Sequence, residues 1–280
     1  MTRRTSWPVL VLGHAAIVIA TAATLYPVLW VVKMALSPGQ SFDASPSPWP
    51  RVVSLQNFAD LWAPGSAMGL WRQLGNSLVV ALATAAVGLA SSATAAFAFS
   101  RLRFAGRQAS LTFFLATQMF PGTMMAIPLY ILLDDLGLLD TLTGLVLVYS
   151  TTAVPFCVFS LKGYLDTIPR ELDEAARIDG ASSWAVFTRV VLPLARPALA
   201  VTALFAFLSA WNEYILAATF LGDARTFTLP VALQQYVGEY HTEWGHFAAG
   251  AIVVSIPVML LFFALQKQLV SGLTAGGVKG

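Results

Sequence analysis

Six stretches of this chain run the length of a bilayer crossing almost without charge: residues 9–32, 77–100, 109–133, 141–161, 198–220 and 246–270. An α-helix rises 1.5 Å per residue, so about 20 apolar residues cross a hydrocarbon layer of roughly 30 Å. Within these limits the acidic, basic and imidazole side chains reduce to His14, Glu213, His246 near a start and Lys267 near an end. The cost of burying charge in hydrocarbon accounts for that scarcity. With 57% hydrophobic and 11% charged residues, the chain is too apolar for a water-soluble domain. The reading is an all-α integral membrane protein with six transmembrane helices.

Several function classes fall away on the same grounds. The net charge is only +2 and the arginines lie in loops, which argues against nucleic acid as a partner. One cysteine, Cys157, cannot form an internal disulfide, and with the scattered His14, His241 and His246 it makes no metal centre. No Gly-rich phosphate loop ending in Gly-Lys-Ser/Thr is present, so the chain cannot itself drive work with ATP. No nucleophile, base and orienter group together, and the buried ionisable set is thin for a proton relay. The chain reads as non-enzymatic, with no cofactor of its own.

Orientation follows from the 16 Lys and Arg. With a cytoplasmic amino terminus, the inner segments hold Arg3, Arg4, Arg101, Arg103, Arg107, Lys162, Arg170, Arg177, Arg189, Arg196, Lys267 and Lys279. The outer segments hold Lys33, Arg51, Arg72 and Arg225. That bias puts both termini in the cytoplasm of a multi-pass cell-membrane protein. A cleaved signal peptide is the rival reading of the first stretch, since Arg3 and Arg4 precede it and Ala20, Thr21 and Ala22 resemble a cleavage site. The apolar run continues to Val32, which favours a retained anchor.

The chain divides into residues 1–75 (amino-terminal tip, first helix, outer loop), a core at 76–270, and a tail at 271–280. In the outer loop, Ser54 precedes Leu55, Phe58, Leu61 and Trp62, the spacing of a short capped amphipathic helix. Small residues at four-residue spacing in the second span, Ala81 with Ala85, Ala86 with Ala90 and Ser92 with Ala96, permit close helix approach. Pro121, Pro128, Pro155 and Pro257 favour bends within spans.

The longest inner loop, 162–197, reads as two short helices at an angle. Pro169 suits a first turn, and Glu171, Asp173 and Glu174 suit the positive end of a helix dipole. Arg170 with Glu174 and Asp173 with Arg177 are spaced for ion pairs. Gly180 suits a left-handed terminus, and Ser182 or Ser183 a cap. Trp184, Phe187 and Val191 form an apolar stripe ending at Pro193. A stripe that cannot enter lipid needs a protein surface to cover it, either this chain's own or a partner's.

In this loop Glu174, Ala175, Ala176, Gly180, Val190, Leu192 and Pro193 resemble the EAA motif of ATP-binding-cassette importer permeases, with Val190 where Ile is usual. The segments 96–106, 118–141 and 211–217 look like the oligosaccharide branch of that family. Residues 234–251 and 271–280 are similar to the G-type subunits of maltose/maltodextrin transporters. The resemblance covers Leu55 to the terminus and implies the type I importer permease fold. It implies a coupling helix seated in an ATPase subunit, with Glu174, Ala175, Ala176, Asp179, Gly180, Trp184 and Phe187 at the joint. It implies that Thr274, Gly276, Gly277 and Lys279 contact the ATPases. Glu239, Tyr240, His241 and Trp244 would meet an extracytoplasmic sugar-binding protein. The implied assembly adds an F-type second permease and two ATPases that bind ATP and Mg.

Glu213, next to Trp211 and Asn212, is either part of a sugar path or a bonded structural carboxyl, and Gln118 is a further path candidate. In the family the F-type subunit forms most of the sugar site. The expected function is import of maltose/maltodextrin-type sugars by alternating access. Alternatives are another cargo (trehalose, another oligosaccharide or glycerol phosphate), a gradient-driven secondary transporter working without an ATPase, or a membrane scaffold that transports nothing.

Overall fold

The computed structural model describes residues 7–63, 70–238 and 241–277, with side chains as far as Gln268. In chain order the helices are α1 (Trp7–Leu36), α2 (Gln56–Trp62), α3 (Leu70–Arg101), α4 (Arg107–Thr117), a 3-10 turn (Gly122–Met125), α5 (Ala126–Asp135), α6 (Leu142–Leu165) and α7 (Glu171–Ile178). Then follow α8 (Ser183–Ala185), a π turn (Val186–Val191), α9 (Leu192–Leu194), α10 (Arg196–Trp211), α11 (Ile215–Phe220), α12 (Leu229–Gln234) and α13 (Trp244–Gly277). The only pairing of extended backbone among the described residues is a bridge between Val237 and Thr242.

Four helices, α1, α3, α6 and α13, are long and apolar enough to cross a membrane alone. The other two expected spans are interrupted. The third is two legs bent by 94° between Thr117 and Gly122. Pro121 disfavours helical backbone at Phe120 and brings no N–H, so the helix stops there. The fifth breaks between Trp211 and Ile215, leaving α10 and the six-residue α11. Pro155 and Pro257, by contrast, sit inside continuous helices.

The chain forms two compact units, residues 1–70 with 232–256, and residues 71–231 with 257–280. In the first, α1 buries only its last turn, where Lys33 bonds Asp43 at 2.9 Å and Ser45 Oγ at 2.7 Å. These bonds hold the Asp43 carboxyl well below the usual range, at about 2. Asn57 on α2 donates to the carbonyls of Ala35 and Ser37, satisfying groups left open where α1 ends. Ser54 does not cap α2 as expected: Leu55 holds the cap position without a side-chain bond, and Ser54 Oγ, one residue earlier, accepts from the Gln56 N–H at 3.1 Å.

In the second unit α3 carries Thr84, Ser92, Ala96 and Ser100, all fully buried. This narrow seam lets α6 and α10 approach: Ser92 Oγ donates to the Val154 carbonyl at 3.3 Å, and Gly88 lies against Ala206. At the loop end of α3, Phe97 packs with Leu161, Leu165, Phe187 and Val191. Each such side chain withdrawn from water contributes roughly 1.5–3 kcal/mol. At the other end, Gln73 and Asn76 donate to carbonyls of the 221–228 loop, and Asp140 accepts from Gly222 and Asp223 N–H groups.

Candidate functional site

The 162–197 loop folds as two short helical segments, as its spacing predicts, but its ion pairs differ. α7 begins at Glu171, so Pro169 precedes the helix instead of entering its first turn. Asp173 does not pair with Arg177: it is buried and meets Arg101 Nε at 2.6 Å. Arg170 does not reach Glu174 but donates to the Ser100 carbonyl at 2.9 Å. Burial decides both outcomes, because α7 lies on the end of α3 and an inward acid finds a partner there.

The termination of α7 matches expectation. Gly180 has φ +84°, its N–H bonds to the Arg177 carbonyl at 3.0 Å, and the Ala181 N–H reaches the Ala176 carbonyl at 2.9 Å. This is the Schellman pattern, which favours glycine in the left-handed position. Ser182 Oγ accepts from Ala185 N–H at 3.2 Å and caps the next segment. The chain then widens into the π turn before Pro193, and the Ser183–Leu194 segment meets α10 at 81°.

What remains outward is an acidic and apolar surface. Glu174, Ala175, Asp179 and Gly180 are exposed and Ala176 is half-buried. Ile178 is 87% exposed and Trp184 67%, large apolar groups on a segment too polar for lipid. Phe187 turns inward, with ring contacts to Trp184 at 5.3 Å and to Phe97 at 5.0 Å. The expected stripe therefore splits: Phe187 and Val191 anchor the loop, and Trp184 faces out. Beneath it, Asp166 accepts from Ser100 Oγ at 2.7 Å and Lys162 at 2.6 Å. Burial raises that carboxyl, but these bonds outweigh it and leave the net shift downward.

The fifth-span break places Glu213 between two helices. Its oxygens accept from Tyr149 Oη at 2.6 Å, Leu216 N–H at 2.9 Å and Ala217 N–H at 3.0 Å. The carboxyl thus caps the open end of α11 and links it to α6. Trp211 is buried and stacked on Phe207, and Asn212 is exposed. None of these three lines the cavity of about 950 Å³ among α3, α4, α5 and α6. Gln118 does, with Ser91, Thr117, Ser150, Thr151 and Thr152 as polar neighbours and Phe113, Phe114 and Phe120 as aromatic ones. Gln118 Nε2 donates to the Thr152 carbonyl at 3.2 Å.

His241 is exposed, and its carbonyl accepts from the Gly238 N–H at 3.0 Å. A side chain at Gly238 would clash with that carbonyl. Trp244 is less available, with its ring 5.3 Å from Phe42 and its N–H on the Gln40 carbonyl. Glu239 and Tyr240 lie outside the described residues, as does Lys279. Thr274, Gly276 and Gly277 continue α13 in place of an irregular tail.

Sequence reasoning missed Arg101, Tyr149 and Asp140 as organising residues. Each pairs with a partner far along the chain, and only the SRLR run at the end of the second span hinted at one of them.

A family model described as "Binding-protein-dependent transport system inner membrane component" matches residues 86–274. The chain is 38% identical to the galactooligosaccharides transport system permease protein GanQ of Bacillus subtilis, over 97% of this chain and 94% of that one. It is 36% identical to the maltose/maltodextrin transport system permease protein MalG of Escherichia coli, over 97% and 96%. In structure it is similar to a chain of a bacterial ABC transporter involved in alginate import, with a TM-score of 0.80, 24% identity, and coverage of 96% of this chain and 100% of that one.

Proposed function

Because the chain belongs to the family of binding-protein-dependent transport system inner membrane components, whose type I importer fold it shares, we propose that it carries maltose/maltodextrin-type oligosaccharides inward, driven by separate ATPase subunits. The observation that carries this reading is the outward face of α7 and α8. An unburied acid and two large unburied apolar groups, Ile178 and Trp184, stand on a rigid, doubly capped support. That surface suits a socket on another protein, and water alone offers it no stabilising contact. Glu174 would ion-pair with a basic residue of the ATPase, and Trp184 would fill the socket's apolar floor. ATP and Mg would belong to the ATPases. Closure of the ATPases would favour the outward-open state, and only such differential binding couples the two sites.

An F-type permease would complete the membrane core, with residues 76–270 as this chain's share of it. Both termini would lie in the cytoplasm of a cell-membrane protein, and Thr274, Gly276, Gly277 and Lys279 would approach the ATPases. Outside, exposed His241, with Glu239, Tyr240 and Trp244, would meet the sugar-binding protein. The cavity beside Gln118 supports a sugar path, because polar side chains of Gln118, Ser91, Thr117, Ser150, Thr151 and Thr152 line it beside the rings of Phe113, Phe114 and Phe120. Trp211, Asn212 and Glu213 would shape that path from behind. The kinship with a permease named for galactooligosaccharides favours, as a second reading, a cargo of another oligosaccharide type.

The test is reconstitution with the ATPases, the second permease and the binding protein. Glu174→Lys reverses the charge at the socket, and Gly180→Pro forbids φ +84°. Both should leave the protein inserted and ATP still hydrolysed while uptake is lost. Normal uptake in either variant would contradict the reading.

A further inference from the structure

Any coupling helix can transmit force only if it is fixed to what it moves. α7 touches the rest of its unit through polar groups that neither the exposed surface nor the sugar path uses. Asp173, the residue before the outward Glu174, points the opposite way: its side chain is 9% exposed and that of Arg101, facing it, is 3% exposed. The 2.6 Å contact to Arg101 Nε is off the direction of a hydrogen bond, and Asp173 Oδ1 accepts none among the described residues. The acid is therefore held by charge. Arg101 is fixed independently, donating through its other nitrogens to the Ile168 carbonyl at 3.0 Å and to Ser100 Oγ. Around this pair, Arg170 donates to the Ser100 carbonyl, and Ser100 Oγ donates to Asp166 at the end of α6.

We propose that Arg101 and Asp173 form a positioning pair that locks α7 to the ends of α3 and α6, so that the three move as one body when the coupling surface is pushed. The pair stands where a lever needs its weld. Asp173 and Glu174 are consecutive, so one helical turn carries the outward group and the inward anchor, and a push on Glu174 reaches Arg101 within that turn. Phe187 against Phe97 adds an apolar contact on the other segment, inside a buried cluster with Leu161, Leu165 and Val191. Breaking a buried ion pair from one side leaves an uncompensated buried charge, so the remaining partner seeks water and α7 loosens from α3.

This proposal rests on the coupling reading above. Its test separates the two. In the reconstituted complex, Asp173→Asn should preserve assembly and ATP hydrolysis but raise the ATP spent per sugar about 10-fold, taking the size of a typical coupling free energy as the guide. Asp173→Glu, which keeps the charge, should restore most of the efficiency. Wild-type efficiency in Asp173→Asn, or an equal loss in Asp173→Glu, would overturn the proposal. If Glu174→Lys uncouples while Asp173→Asn does not, the lever survives and the weld alone fails. If neither uncouples, the coupling reading has failed first.

A second measurement takes its deciding readout from the chain with Asp173 and Arg101 intact. Spin labels at Glu171→Cys on α7 and Arg103→Cys beyond α3 are both at exposed positions, and the native Cys157 is buried. With Asp173 and Arg101 intact, the label distance should remain a single narrow population with and without trapped nucleotide. A distance that changes between the two states would show α7 sliding on α3 and would overturn the proposal. In Asp173→Asn the distribution should broaden.

Discussion

Two glutamates in this chain, one within a short helix and one at a break between helices, meet opposite fates. Glu174, on the loop between the fourth and fifth spans, is exposed, and its side chain makes no hydrogen bond or ion pair among the described residues. Glu213, inside the broken fifth span, accepts three hydrogen bonds from Tyr149, Leu216 and Ala217. A carboxylate in water can be left open at little cost, and one surrounded by apolar helices cannot. The open acid is free to serve another protein, and the saturated one is committed to this fold. The lesson reaches beyond the pair: in a membrane chain a lone carboxyl within a span signals function only when its hydrogen-bonding capacity has not been consumed locally.

The sharpest way to break the contrast is to remove the saturated acid. Glu213→Leu would strand the Tyr149 hydroxyl and two backbone N–H groups, each costing roughly 1–3 kcal/mol when left unsatisfied. A total loss on the order of 4 kcal/mol should show as a collapse in the yield of assembled complex. The fraction that does assemble should keep its apparent affinity for the sugar-loaded binding protein. A variant that assembles normally but no longer carries sugar would move Glu213 from structure to substrate handling.

Tyr149→Phe makes the milder cut. It leaves Glu213 its two backbone donors and removes one hydroxyl, so the expected cost is about 1–2 kcal/mol. Thermal unfolding of the purified complex should register it as a lowered midpoint, with ATP spent per sugar unchanged. A raised ATP requirement would mean that the fifth-span break moves during transport and that the tyrosine steadies one of its states.

The sequence made some of this legible and concealed the rest for definite reasons. Span existence could be read because apolar length is a local property, and Gly180 and Ser182 because a left-handed terminus and a cap each require particular residue types. The bend at 118–121 was legible in part, through Pro121, but the break at 212–214 was not. Pro121 carried the right signal for the first, but Pro155 and Pro257 carry the same signal inside continuous helices. The second has no proline at all and is held by Glu213 and Tyr149, 64 positions apart. The ion pairs of α7 went astray because spacing of three or four residues reports neighbours on a helix surface, and Asp173 is not on the surface. What the sequence concealed was consistently a partner brought from far along the chain.

The smallest expected effect falls on the exposed side of the comparison. Ser182 Oγ receives the Ala185 N–H at 3.2 Å and fixes where the second segment of the 162–197 loop begins. Ser182→Ala removes one acceptor, a loss of about 1 kcal/mol for an average cap. The site is exposed, so water can take over the freed N–H, whereas the donors around Glu213 belong to the buried residues Tyr149, Leu216 and Ala217. The buried anchors Val186, Phe187 and Val191 remain in place. Assembly should therefore be indistinguishable from wild type, and ATP spent per sugar should rise by less than about 5-fold, less than the rise expected of Asp173→Asn. An effect as large as that of Glu174→Lys would show that the angle between α7 and the second segment, which this cap sets, transmits as much as the acidic contact itself.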